Sequence, residues 1–111
     1  MADDFALLMR LWEDGQRRIA ESEPAVRRVL ERVSDEIYLE LRRRLGGRFT
    51  TSELAEFYLR EGTDWCFAIA YDSAPGSPEA WDMGTVAGAA FARYTRSAVD
   101  WGGGVRRQAD E

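Results

Sequence analysis

The sequence predicts an all-α domain, a small antiparallel bundle of about four helices with a disordered C-terminal tail. Three observations carry that expectation: apolar residues recur at helical spacing, no alternating run is long enough for a sheet, and the boundary signals are those of helices. At 111 residues the chain has the size of one domain. Such a domain can bury about two-thirds of its unfolded surface without disulfides or metal. The expected division is one helical domain over 1–101 and a flexible tail over 102–111.

The first helix is expected over 3–21, where Phe5, Leu8, Trp12 and Ile19 fall near one face and Leu7 and Leu11 widen it. Glu13 and Arg17 stand in the favourable i,i+4 order. Gly15 weakens the middle and invites an early stop. Ser22, Glu23 and Pro24 form the boundary, because proline suits a first turn and clashes inside a helix.

From 23 to 45 the pattern is clean. Val26, Val29, Leu30, Val33, Ile37 and Leu41 make one stripe, and charged residues cover the rest. Arg42, Arg43 and Arg44 suit the negative end of the helix dipole, and Gly46 supplies a left-handed stop. Leu39 is the one apolar residue on the polar side.

Residues 46–72 hold the sharpest start signal and the densest aromatic content. Thr50 with Glu53 three residues later is a capping box, and Phe49 with Leu54 has the spacing of a hydrophobic staple. Laid on a continuous helix over 51–72, Leu54, Phe57, Tyr58, Trp65, Ala68 and Ile69 converge on one face. Glu61 then projects into the middle of that face. An unpaired carboxylate there costs several kcal/mol, so Glu61 is expected to pair, with Arg93 on the last helix as its partner, or to line a pocket. A break at Gly62 would release it to water.

Residues 73–78 are the one clear loop. Ser77 and Pro78 are expected to restart a helix as N-cap and first helical residue, with an interruption near Gly84 and Thr85. The final helix, 85–101, carries Val86, Ala90, Tyr94, Ser97 and Trp101 on one side. Gly84, Gly88 and Ala92 repeat every four residues, which lets another helix come close.

Composition narrows the function classes. A net charge of −5 and a pI near 4.8 disfavour nucleic acid and anionic membranes as partners. All fifteen basic residues are arginine, and there is no histidine, so the usual general base and zinc ligand are missing. A single cysteine, Cys66, allows no intrachain disulfide and points to a reducing cytoplasm. No charged leader opens the chain and no apolar run approaches about 18 residues, so neither secretion nor membrane insertion is expected.

Two short stretches resemble known families. RFTTSELAEF resembles the opening of a helix-turn-helix, in which a capped short helix precedes the turn. The segment that would follow as recognition helix, 63–73, carries two acids and no base, where base edges and phosphates require donors. Glu53 with Glu56, and Glu79 with Asp82, are each three apart, with 22 residues between the pairs. This resembles the ExxE…ExxD signature of all-α nucleoside triphosphate pyrophosphatases of the MazG type, and the resemblance implies Mg²⁺ held by those four acids. Hard oxygen ligands on facing helices suit that ion. The lysine that commonly accompanies that site has no counterpart in a chain without lysine.

Ten of the thirteen aromatic residues follow residue 45. Most fit a core, but Trp81 sits after the loop, outside any long apolar stripe. With no catalytic set and no cofactor implied, the expected function is a cytoplasmic, non-catalytic interaction or regulatory module. It would bind a protein partner or a second copy of itself through Leu39 and Trp81. The alternatives are the Mg-dependent pyrophosphatase and an aromatic-lined bundle that holds a small ligand.

Overall fold

The computed structural model describes residues 2–45, 48–97 and 104–106. The domain is all-α. Helix α1 spans Ala2–Glu21, α2 spans Pro24–Leu45, α3 spans 51–73 and α4 spans Met83–Ser97, with one 3₁₀ turn, Pro78–Trp81, before α4. A short strand pair stands beside the helices: β1, Arg48–Thr50, runs parallel to β2, Gly104–Arg106, with Phe49 opposite Val105. Gly104–Arg106 falls within the stretch expected as a flexible tail; the rest of 102–111 lies outside the described residues. A three-residue strand needs only backbone partners, and three residues are too few to show an alternating pattern.

Helix α4 is the centre of the fold. Every residue from Thr85 to Ala92 is buried, and so is Tyr94. Alanine and glycine dominate this segment, so neighbouring backbones approach from several sides. Helix α1 packs chiefly on α4, and α2 covers another flank. Trp12 lies against Gly88, Gly15 against Thr85 and Arg18 against Gly84, so α1 and α4 run antiparallel. Helices α2 and α3 are antiparallel too, since Arg32 reaches Ser73 while Arg44 lies over Trp65.

Gly15 does not end α1. The helix continues to Glu21, and the glycine is buried where α1 crosses α4. Glu13 pairs across that crossing with Arg96, and Arg17 pairs with Asp14 at 3.0 Å. The break at Pro24 stands where expected, and Leu30, Val33, Ile37 and Leu41 are buried as the stripe on α2 requires. Ser77 makes no side-chain cap, and the turn after Pro78 is a single 3₁₀ turn. Helix α4 starts afresh at Met83, where the Asp82 carbonyl accepts from the N–H groups of Thr85 and Val86, both at 3.0 Å.

Helix α3 begins as its capping box dictates. Thr50 is extended, its hydroxyl accepts from Glu53 N at 3.0 Å, and its own N–H donates to Glu53 Oε1 at 2.7 Å. The side chain of Phe49, the other half of the expected staple, lies outside the described residues. The helix then runs α over Thr51–Phe57, π over Tyr58–Gly62 and α again over Thr63–Ser73. Backbone angles stay helical through the change, with Gly62 at φ −60°, ψ −36°. Gly62 therefore does not break the helix. It sits in a turn that holds one residue more than an α turn.

Candidate functional site

The π turn decides which side chains of α3 face inward. An uninterrupted α-helix would carry the inward line from Leu54 and Tyr58 to Glu61, Trp65 and Ile69. The extra residue moves it to Gly62, Cys66 and Ala70, all buried, and on to Ala74. Trp65 and Ile69 remain half-buried at the edge, and Ala68, expected in the core, is exposed.

Glu61 is turned out by the same shift. Its side chain is 50 % exposed and its nearest cation is the neighbouring Arg60, at 3.6 Å. Arg93 is not its partner. Arg93 donates to Asp35 on α2 at 2.6 Å, and its guanidinium lies 3.9 Å above the Tyr38 ring. The expected buried Glu61–Arg93 pair does not form.

In place of the carboxylate, the core face meets an aromatic cluster. Trp12, Tyr58 and Phe91 pack mutually with centroids 5.0–5.3 Å apart, Tyr58 meeting both others edge-on, and Phe5 closes edge-on against Trp12 at 5.9 Å. Burial pushes the Tyr58 phenol up, with the nearby Trp12 indole N–H pulling the other way. That indole N–H is nonetheless buried outside bonding geometry to any described acceptor, as is that of Trp65. Cys66 is fully buried, and burial pushes its thiol up to about 12 against the pull of Arg44.

The outward side of α3 is where unusual surface collects. With Cys66 and Ala70 inward, Phe67 and Tyr71 point to solvent one turn apart. Phe67 is 45 % exposed and Tyr71 52 % exposed, and their rings stack with centroids 6.4 Å apart. The turn after α3 lays Trp81 beside them, 5.5 Å from Tyr71 and 6.3 Å from Phe67. The Trp81 indole N–H donates to the Ala74 carbonyl at 3.0 Å, which fixes that ring to the end of α3. Three rings thus form one continuous aromatic face, bordered in sequence by the exposed acids Asp64, Asp72 and Glu79.

Of the residues singled out from the sequence, Trp81 belongs to this face. It is half-buried and packs on the core as well. Leu39 is 55 % exposed but lies on α2, the helix that does not carry the three rings. Phe67 and Tyr71 were missed, although their i,i+4 spacing is visible in the sequence, because nothing local marks two outward rings as a face until the turn after α3 packs Trp81 beside them.

The four acids of the ExxE…ExxD pattern do not act together. Glu53 serves the capping box, Glu56 pairs with Arg60 at 2.8 Å, and Asp82 accepts from the Thr85 hydroxyl at 3.0 Å. Among the described residues no three carboxylate or thiol side chains are arranged to hold a metal ion. No helix is long and apolar enough to cross a membrane among the described residues. No protein-family model, curated protein or solved structure matches the chain.

Proposed function

We propose that the chain is a cytoplasmic, non-catalytic protein-interaction module that works through the Phe67–Tyr71–Trp81 face. The observation that supports this is the exposure of two large rings, stacked on each other and packed against a third that is itself fixed by a hydrogen bond. An aromatic ring offers ~150–250 Å² of area. Covering the exposed half of Phe67 and of Tyr71 is therefore worth about 2–3 kcal/mol each at ~25 cal/mol per Å². Rings already held in place lose little freedom on binding, which is why such residues dominate the centres of interfaces. Rings left about half exposed suit a protein surface or segment better than a small ligand, which a pocket would enclose.

The test is selection of binding peptides from a random displayed library, on the wild-type chain and on a Phe67→Ala/Tyr71→Ala variant. Sedimentation across a concentration series runs beside it. Peptides that bind the wild type and not the variant, or a dimer that dissociates in the variant, support the reading. Monomers at every concentration with no ring-dependent peptide would end it.

A further inference from the structure

We infer that this aromatic face takes an arginine-bearing segment of a partner protein, an inference that rests on the function proposed above. Residues 61–92 hold five acids, Glu61, Asp64, Asp72, Glu79 and Asp82, and no base. The other 79 residues hold fifteen acids and fifteen arginines, so the net charge of −5 belongs entirely to this stretch. The aromatic face lies within it.

The acids are placed to act with the rings. On α3, Asp64 stands one turn before Phe67 and two turns before Tyr71, and Asp72 follows Tyr71 directly, all on the exposed side. Glu79 precedes Trp81 by two residues, also exposed. Asp64, Asp72 and Glu79 have no ion pair or hydrogen bond from any side chain among the described residues. Asp35, Glu40 and Glu56, by contrast, are held by Arg93, by Arg43 and Arg44, and by Arg60. The arginines that approach this stretch from other helices have other acceptors: Arg32 donates to the Ser73 carbonyl at 2.9 Å, Arg44 to Glu40, and Arg18 to the Thr85 hydroxyl.

Exposed aromatic rings in a stretch rich in unpaired carboxylates are complementary to a planar cation. Guanidinium stacks on the ring while its N–H groups reach the acids, which a lysine ammonium does less well. Among the described residues this mode occurs twice, with Arg93 3.9 Å above Tyr38 and Arg44 4.9 Å above Trp65. Symmetric pairing of two copies through this face would set like charges against each other, so a second copy is the weaker occupant.

Calorimetric titration of the full chain tests this with three nine-residue peptides of alternating glycine and arginine, glycine and lysine, or glycine and glutamate. Two variants accompany the wild type: Phe67→Ala/Tyr71→Ala, and Asp64→Asn/Asp72→Asn/Glu79→Gln. All five residues are exposed, and unchanged melting temperatures confirm that both variants fold. The expected result is binding of the arginine peptide several-fold tighter than the lysine peptide, none of the glutamate peptide, and at least tenfold weakening in each variant. Arginine-peptide binding that survives the ring variant would be generic attraction to an acidic protein and would overturn the inference. So would no binding of the arginine peptide, or a dimer that needs Phe67 and Tyr71. Ring-dependent library peptides that are neutral or acidic would also overturn it while leaving the proposed function standing, whereas no ring-dependent binder of any kind ends both.

Discussion

Gly62 packs against Phe91 so closely that a Cβ built on the glycine would lie 3.3 Å from Phe91 Cζ. The π turn of α3 thus presents a hydrogen atom to the core ring and turns the Glu61 carboxylate outward. Glu61→Ala should therefore change stability by no more than about 0.5 kcal/mol, as for other exposed sites. Gly62→Ala gains up to ~1 kcal/mol of helix propensity but crowds Phe91, where overpacking costs roughly 1–3 kcal/mol, so a net loss is expected. Urea denaturation of the two variants checks both. A loss of several kcal/mol in Glu61→Ala would mean that the carboxylate is buried and the register of α3 is that of an unbroken α-helix.

The capping box is a local device and its removal should read locally. Thr50→Ala takes the acceptor from the Glu53 N–H at a buried helix start and should cost about 1 kcal/mol. Thr50→Ser keeps the hydroxyl and should recover most of the loss. Equal midpoints for wild type and Thr50→Ala in denaturant would place the start of α3 elsewhere.

The buried thiol and phenols predict an alkaline limit to stability. Burial holds Cys66 at about 12 against an ordinary 9.0, holds Tyr94 at about 12 against 10.0, and raises Tyr58 as well. As pH rises past 9 the unfolded chain releases these protons first, while the folded chain retains them. The unfolded state then binds fewer protons, so stability is full below about pH 9 and falls towards pH 12. A series of denaturation midpoints from pH 7 to 11 should decline only above 9. At pH 8 a thiol reagent should label the native protein far more slowly than the protein in denaturant, because the native thiol is both covered and protonated. Rapid native labelling would contradict the inward placement of Cys66.

What the sequence made legible was what short range determines. Thr50 and Glu53 are three residues apart, and the stripe of α2 from Leu30 to Leu41 needs only helical periodicity. The face of α3 was not legible in the same way, because tertiary packing inserts a residue into the turn at Tyr58–Gly62. A trace remains in the sequence: Leu54, Tyr58, Gly62, Cys66, Ala70 and Ala74 step by four without interruption, and the last four of these are small enough to fit under a ring and a small-residue helix. The partner of Arg93 was invisible for a plainer reason. Asp35 lies 58 residues away, and many carboxylates could have met that arginine. The missed rings have another cause: Phe67 and Tyr71 fall outside the inward line in either register, and only the fold lays Trp81 beside them to make a face.

The closest helix crossing gives the sharpest prediction. A Cβ on Gly15 would lie 2.7 Å from the Thr85 carbonyl oxygen, 2.8 Å from that of Gly84 and 3.1 Å from Ala89 N. All three are backbone atoms of α4 or its start, so no side chain can swing aside. Elsewhere in a helix, glycine to alanine gains ~1 kcal/mol of propensity. Here that gain is outweighed, because α1 must lift from α4 and loosen the packing of Trp12, one turn earlier, on Gly88 and Phe91. Gly15→Ala should destabilise by about 2–3 kcal/mol, the upper range for overpacking, and lower the melting temperature by roughly 10 °C or more in a domain of this size. Gly76→Ala is the control: a Cβ there meets nothing within 4 Å, and its midpoint should hardly move. Thermal melts of the two variants side by side decide the matter. A Gly15→Ala protein as stable as the wild type would mean that α1 does not cross α4 at this distance, and the antiparallel core built on that crossing would have to be redrawn.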